Sequence, residues 1–196
     1  MKRKYHIIAL LGLSVWTACR PKEPVPRPRG YYKIDFPEKT YRTFDSLSFP
    51  YTFEYPAYGV ITQDSNLVKQ ENNPYWINIY FPEMDATIYL SYKVISQQDP
   101  LEKLIDDSYR LSYAHNVKAD YIKTPEFTTE NGLTGIFYYV GGNAASAYQF
   151  YVSDNKKNFL RASLYFNIAP NADSLKPAAE FLKKDMERLV HTLKFK

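Results

Sequence analysis

The sequence predicts an α+β fold: an antiparallel sheet in the order strands, helix, strands, helix, with two main helices packed on it. Three observations carry that prediction. Short runs alternate apolar and polar residues with a period of two, as half-buried strands do. The links inside each group of runs are of hairpin length, which makes antiparallel neighbours. Two longer stretches carry a helical stripe, and the elements cluster rather than alternate, which separates α+β from α/β.

The elements follow in order. Phe49, Tyr51, Phe53 and Tyr55 alternate with smaller or polar residues. Trp76 to Phe81 is a second β-rich run, and Thr87 to Ile95 is the clearest, with Ile88, Leu90, Tyr92 and Val94 on one face. Pro82-Glu83-Met84-Asp85 between them reads as a turn. Asp99-Pro100-Leu101-Glu102 reads as a helix start, with Asp99 as cap and Pro100 first in the helix. Leu101, Leu104, Ile105, Ser108, Leu111 and Ser112 then form one stripe, and the helix is expected to end near Ala119. Phe127 to Thr129 and Leu133 to Val140 flank Glu130-Asn131-Gly132, a hairpin signal. Ala147 to Val152 and Phe159 to Asn167 flank a second turn, Ser153 to Lys157. Pro170 to Ser174 breaks the sheet and caps a last helix with the stripe Leu175, Ala178, Ala179, Leu182, Met186, Leu189 and Leu193.

The N-terminus carries the strongest functional signal. Lys2-Arg3-Lys4 is a positive start, and Ile7 to Trp16 is a mostly apolar stretch. It is too short for a bilayer span, which needs about 20 apolar residues, and it fits a signal peptide. Trp16-Thr17-Ala18-Cys19 resembles a lipobox, with Trp16 where Leu is commoner. The reading is a signal peptide over 1–18, then Cys19 carrying acyl chains such as palmitate. Two or more chains anchor a protein firmly where one does not. Residues 20–30 hold Pro21, Pro24, Pro26 and Pro28. They read as a semi-rigid tether with a reach of about 34 Å at polyproline spacing. Residues 31–196 are then a single domain.

This placement makes the partners a lipid membrane, through acylated Cys19, and other envelope proteins. No acidic run follows Cys19, which favours a periplasm-facing position in the cell envelope. Lys2, Arg3 and Lys4 account for three of the net +4 charges, so the rest of the chain is close to neutral. It lacks the basic stripe that nucleic-acid binding requires.

No catalytic set stands out. Cys19 is the only cysteine, so its lipid removes both thiol chemistry and internal disulfides. His115 and His191 fall in helical segments without a second His four residues away, so no zinc motif forms. Gly-x-Ser-x-Gly and P-loop motifs are absent, and Asp106 and Asp107 read as a solvated face. The sequence therefore implies no enzyme, metal or cofactor. Contact residues are sought among the 19 Tyr and 12 Phe, most of which suit sheet packing. Tyr31, Tyr32 and Tyr75 lie near element ends and are the better contact candidates. Gly141-Gly142-Asn143 with Ser146 reads as a loop that either forms a turn or bulge or lines a groove for glycan or peptide. A periplasmic ligand-binding or chaperone-like module is thus the alternative function. A cell-wall hydrolase would need convergent carboxylates.

Several strings resemble the GldD-type gliding motility lipoproteins. They are Arg29 to Pro37, Pro50 to Tyr55, Tyr75 to Pro82, Ala86 to Tyr92, Lys118 to Asp120, Gly142 to Ser146 with Gln149-Phe150, Phe159 to Phe166, Pro170 to Ser174 and Asp185 to Leu193. The resemblance implies a component of the envelope machinery for gliding, linked to type IX protein secretion. That component acts by assembling or stabilising partner proteins rather than by catalysis. The element order is also loosely similar to the Mog1/PsbP-like sandwich.

Overall fold

The computed structural model describes residues 34–70 and 73–196. The signal peptide, Cys19, the tether, Tyr31 and Tyr32 lie outside the described residues.

Among the described residues are two antiparallel sheets and three α-helices. The smaller sheet has three strands. Its centre is β2 (Tyr51–Pro56), which pairs with β1 (Tyr41–Phe44) on one side. On the other side lies β11 (Lys194–Phe195), at the chain's C-terminal end. The period of two in β2 buries Tyr51 and Phe53. The sequence predicts one sheet; β1 and β11 build a second around β2, and each is too short to show a period of two.

The larger sheet has eight strands. It begins with β3 (Val60–Thr62), followed by the short helix α1 (Ser65–Gln70) and β4 (Ile77–Phe81). A single 3₁₀ turn, Pro82–Met84, leads into β5 (Ala86–Val94). Asp85 takes a left-handed conformation, φ 43°, to close that hairpin, which short polar side chains tolerate best.

Helix α2 (Leu101–Tyr113) starts one residue later than expected. Pro100 holds the cap position with extended backbone, and no side chain caps the helix. The Asp99 carboxylate instead takes a bond from Lys103 Nζ at 2.6 Å. The helix also ends early. A 3₁₀ turn, Ala114–Val117, follows it, and Ala119 already opens β6 (Ala119–Lys123).

Then come β7 (Glu126–Thr128) and β8 (Thr134–Gly142). Their Asn-Gly turn is not a two-residue loop. Gly132 donates to the Thr129 carbonyl at 2.9 Å and sits at φ 76°, a turn closed by a glycine bulge. The last strands are β9 (Tyr148–Ser153) and β10 (Asn158–Phe166). Helix α3 (Ala172–Thr192) closes the fold; Asn171 caps it by accepting from the Ser174 amide at 3.2 Å.

The strand order is β3-β4-β5-β10-β9-β8-β6, with β7 also on β8. One face of this sheet carries Ile79, Ile88, Leu90, Leu160, Leu164, Phe150 and Val152. They pack with Tyr51 and Phe53 and with Leu182, Met186, Leu189 and Val190 of α3. The opposite face carries Tyr138, Tyr151 and Phe159, covered by Leu104 of α2. The architecture is α+β, with both main helices on the large sheet as expected.

One residue breaks the apolar stripe of α3. Asp185 stands between Leu182 and Leu189 and is 1% exposed. A buried carboxylate persists only when paired and hydrogen-bonded. Lys39 Nζ lies 2.7 Å from Oδ2, Tyr58 OH donates to Oδ2 at 2.6 Å, and Tyr41 OH donates to Oδ1 at 3.0 Å. Lys39 also donates to the Phe181 carbonyl at 2.9 Å and lies 3.5 Å from the Phe181 ring centre. Phe36 stacks on the same ring at 4.4 Å. Burial pulls the Lys39 ammonium below its ordinary pKa, although Asp185 opposes this. Burial and Asp185 together push the Tyr41 hydroxyl up to about 12 and Tyr58 further. These contacts clasp the first described segment to α3.

Candidate functional site

Among the described residues, the contact residues expected from the sequence lie in separate places. Gly141 and Gly142 are the end of β8 rather than a loop, opposite Tyr121 and Ala119 of β6. Both are tight. A Cβ on Gly141 would lie 2.3 Å from the Tyr121 ring, and Gly142 has φ 91°. Asn143 turns its side-chain oxygen onto the Ala172 amide at 2.8 Å, which satisfies a free N–H of the first turn of α3. Ser146 is fully buried, with its hydroxyl 3.4 Å from the Tyr148 carbonyl. Asn143 therefore anchors the start of α3. Gly141 and Gly142 line a cleft of 250 Å³ beside α3, and Asn143 lines a separate one of 450 Å³ beside His115.

Tyr75 lies at the other end of the sheet. Its ring meets Phe49 at 6.0 Å and Tyr92 at 5.6 Å, and its carbonyl accepts from Tyr51 OH at 2.5 Å. It is partly buried and packs against the core.

A larger site went unnoticed in the sequence. Helix α2 covers only part of its sheet face, and a cleft of 460 Å³ opens beside it. Its floor is the outer face of β5 and β10, with Ser91, Lys93, Phe159 and Arg161. Trp76 forms one wall, with Lys93 Nζ 5.3 Å from its ring centre. Leu104, Asp107 and Leu111 of α2 form another. Leu111 was expected in the helix's buried stripe but is 54% exposed on this wall. The stripe's true inner members are Leu104, Ser108 and Ser112.

Below the helix runs a buried polar seam. Arg161 donates from Nη1 to Ser163 Oγ at 2.7 Å and from Nη2 to Gln149 Oε1, which also accepts from Ser112 Oγ at 3.1 Å. Ser112, Gln149 and Ser163 are all buried. Arg161 Nε and Gln149 Nε2 are buried with no partner among the described residues. Burial draws the guanidinium below its ordinary pKa, and Tyr165 and Tyr138 oppose that shift. The signal that would have found this seam is an arginine inside an otherwise apolar strand, facing serines on a helical stripe.

His115 faces Tyr165 OH at 3.4 Å, and burial and Arg161 hold its pKa down. Among the described residues no group of three or more His, Cys, Asp or Glu is placed to hold a metal. No described helix is long and apolar enough to cross a membrane.

Residues 21–195 match the family model described as gliding motility lipoprotein GldD. The chain belongs to the gliding motility lipoprotein GldD family. The match spans every described element except the final residue, so both sheets and all three helices are the family's domain in this chain. Among solved structures, the chain is similar to the solution structure of cyanobacterial PsbP (CyanoP) from Synechocystis sp. PCC 6803. That similarity has a TM-score of 0.49 and 13% identity, over 87% of this chain and 98% of that one. Comparison with curated proteins gives no match.

Proposed function

We propose that this GldD-family domain is a non-catalytic assembly or stabilising partner in the gliding motility and type IX secretion machinery. Acylated Cys19 holds it to a membrane, and it faces the periplasm. The observation that carries this reading is the family match over residues 21–195. The clasp of Lys39, Tyr41 and Tyr58 on Asp185 supports it. Chain continuity makes Phe36 and Lys39 the place where a pull on the tether enters the described fold, and there the chain is fastened to a helix of the core. The partners are other envelope proteins of the same machinery.

Deleting the gene in a gliding host tests this. Colony spreading and export of secreted cargo are expected to fall together, and plasmid-borne wild-type protein is expected to restore both. Normal spreading and normal secretion in the deletion strain would contradict the assignment.

A further inference from the structure

We propose that the cleft between α2 and the outer face of β5 and β10 binds an amphiphilic carboxylate: the carboxylate on Arg161, the apolar body against Trp76, Phe159 and Leu111. This does not rest on the assembly role above.

The seam under α2 has more N–H donors than acceptors. Arg161 carries five N–H groups, and its partners, Ser163 Oγ and Gln149 Oε1, are both neutral. Its Nε and the Gln149 amide nitrogen are buried without partners among the described residues, so the half-buried guanidinium on the cleft floor is short of acceptors. Each Nη keeps one N–H after the bonds named, which suits a planar two-oxygen acceptor bound side by side.

The cleft measures 460 Å³, within the range of small-ligand sites and lined as they are, by apolar walls around polar groups. Leu111 stands 54% exposed on its wall. Trp76 gives a flat aromatic wall.

Lys93 and Arg110 join Arg161 around the cleft, with Asp107 as the one opposing carboxylate. The lining is therefore net positive and favours an anionic head group, while its apolar walls favour an amphiphile over inorganic phosphate.

The test uses the mature lipidated chain in detergent micelles. With residues 1–18 removed, Trp76 is its only tryptophan, so fluorescence reports on the cleft itself. Hydrocinnamate is titrated, with hydrocinnamyl alcohol and inorganic phosphate as comparisons. We expect a saturable change in Trp76 emission with hydrocinnamate, and binding of the alcohol and of phosphate weaker by about tenfold or more. The His115 titration followed by NMR should move to higher pH on binding, because a carboxylate offsets the charge of Arg161. Arg161→Met should abolish binding while Tm holds or rises, since a half-buried cation with only neutral partners is removed. Should that variant not fold, Leu111→Asp, at an exposed helix position, should fold and lose about tenfold in affinity. Absence of saturable binding, equal binding of phosphate, or unchanged affinity in either folded variant would overturn the proposal.

Discussion

Asp185→Ala is expected to lower folding stability by about 3 kcal/mol, the lower end of the range for breaking a buried pair. The carboxylate is fully buried, whereas the Lys39 side chain is 27% exposed, so water still reaches one partner and moderates the loss. Three groups lose their acceptor at once: the Lys39 ammonium, Tyr58 OH and Tyr41 OH. The cavity left in the α3 stripe adds to the cost. At about 2–4 °C per kcal/mol for a domain of this size, Tm should fall by about 6–12 °C. Asp185→Asn keeps an acceptor for the hydroxyls and should fall between wild type and alanine. The double variant Lys39→Ala with Asp185→Ala should cost less than the two singles combined, because the pair is one unit. Thermal unfolding followed by circular dichroism checks all three. Equal Tm for Asp185→Ala and wild type would mean that the clasp contributes nothing.

Gly135→Ala should cost about 3 kcal/mol for a different reason. Gly135 lies in β8 opposite Val152 of β9 and Phe127 of β7. A Cβ there would meet the Tyr151 carbonyl oxygen at 2.0 Å and the Phe127 ring at 2.6 Å. The first obstacle is backbone held in a sheet ladder and has no rotamer to change. β8 and β9 must therefore separate locally, and Phe127 must leave its place against Phe137, 4.9 Å away. Alanine's better fit to strand backbone returns only about 0.5–1 kcal/mol. Denaturant unfolding should show a lower midpoint with an unchanged slope. Phe127→Ala in the same background should leave most of the defect in place, because the carbonyl clash remains.

The sequence made the middle of each element legible and blurred the edges and the long-range pairs. Ile88, Leu90 and Tyr92 alternate because β5 lies between two neighbours, and Ile77, Ile79 and Phe81 repeat the pattern next to it. Only Ala119 of β6 falls in the expected helix, and Asp120 to Lys123 show no strong period that would announce a strand. The strand lies at a sheet edge, and its pairing shifts register between Ala119 and Tyr121. Gly141 and Gly142 looked like a loop because glycine usually marks one. They instead let β6 approach β8 closely. Tyr75 sits at an element end, yet its neighbours in space are Phe49, just before β2, and Tyr92 of β5.

The candidate sites were less legible, for a physical reason. Asp185 meets residues more than a hundred positions away, and nothing local announces Lys39 or Tyr58 as its partners. The trace each site leaves in the sequence is a polar residue in an apolar pattern: Asp185 among leucines, Arg161 among Leu160 and Ala162, Ser108 and Ser112 on the stripe of α2. Such residues mark positions where the core must satisfy a charge or a hydrogen bond, and here they mark the clasp and the cleft.

Cys19→Ser probes whether this domain works in gliding as a lipid-tethered partner. The deletion strain is complemented with either wild-type or Cys19→Ser protein. Labelled palmitate incorporation, the mass of the N-terminus and colony spreading are then measured in the same cells. Wild-type protein should be cut before Cys19, labelled and competent for spreading. The serine variant should remain uncut and unlabelled, with spreading lost. A Cys19→Ser chain that is processed, membrane-bound and fully able to restore spreading would contradict the account.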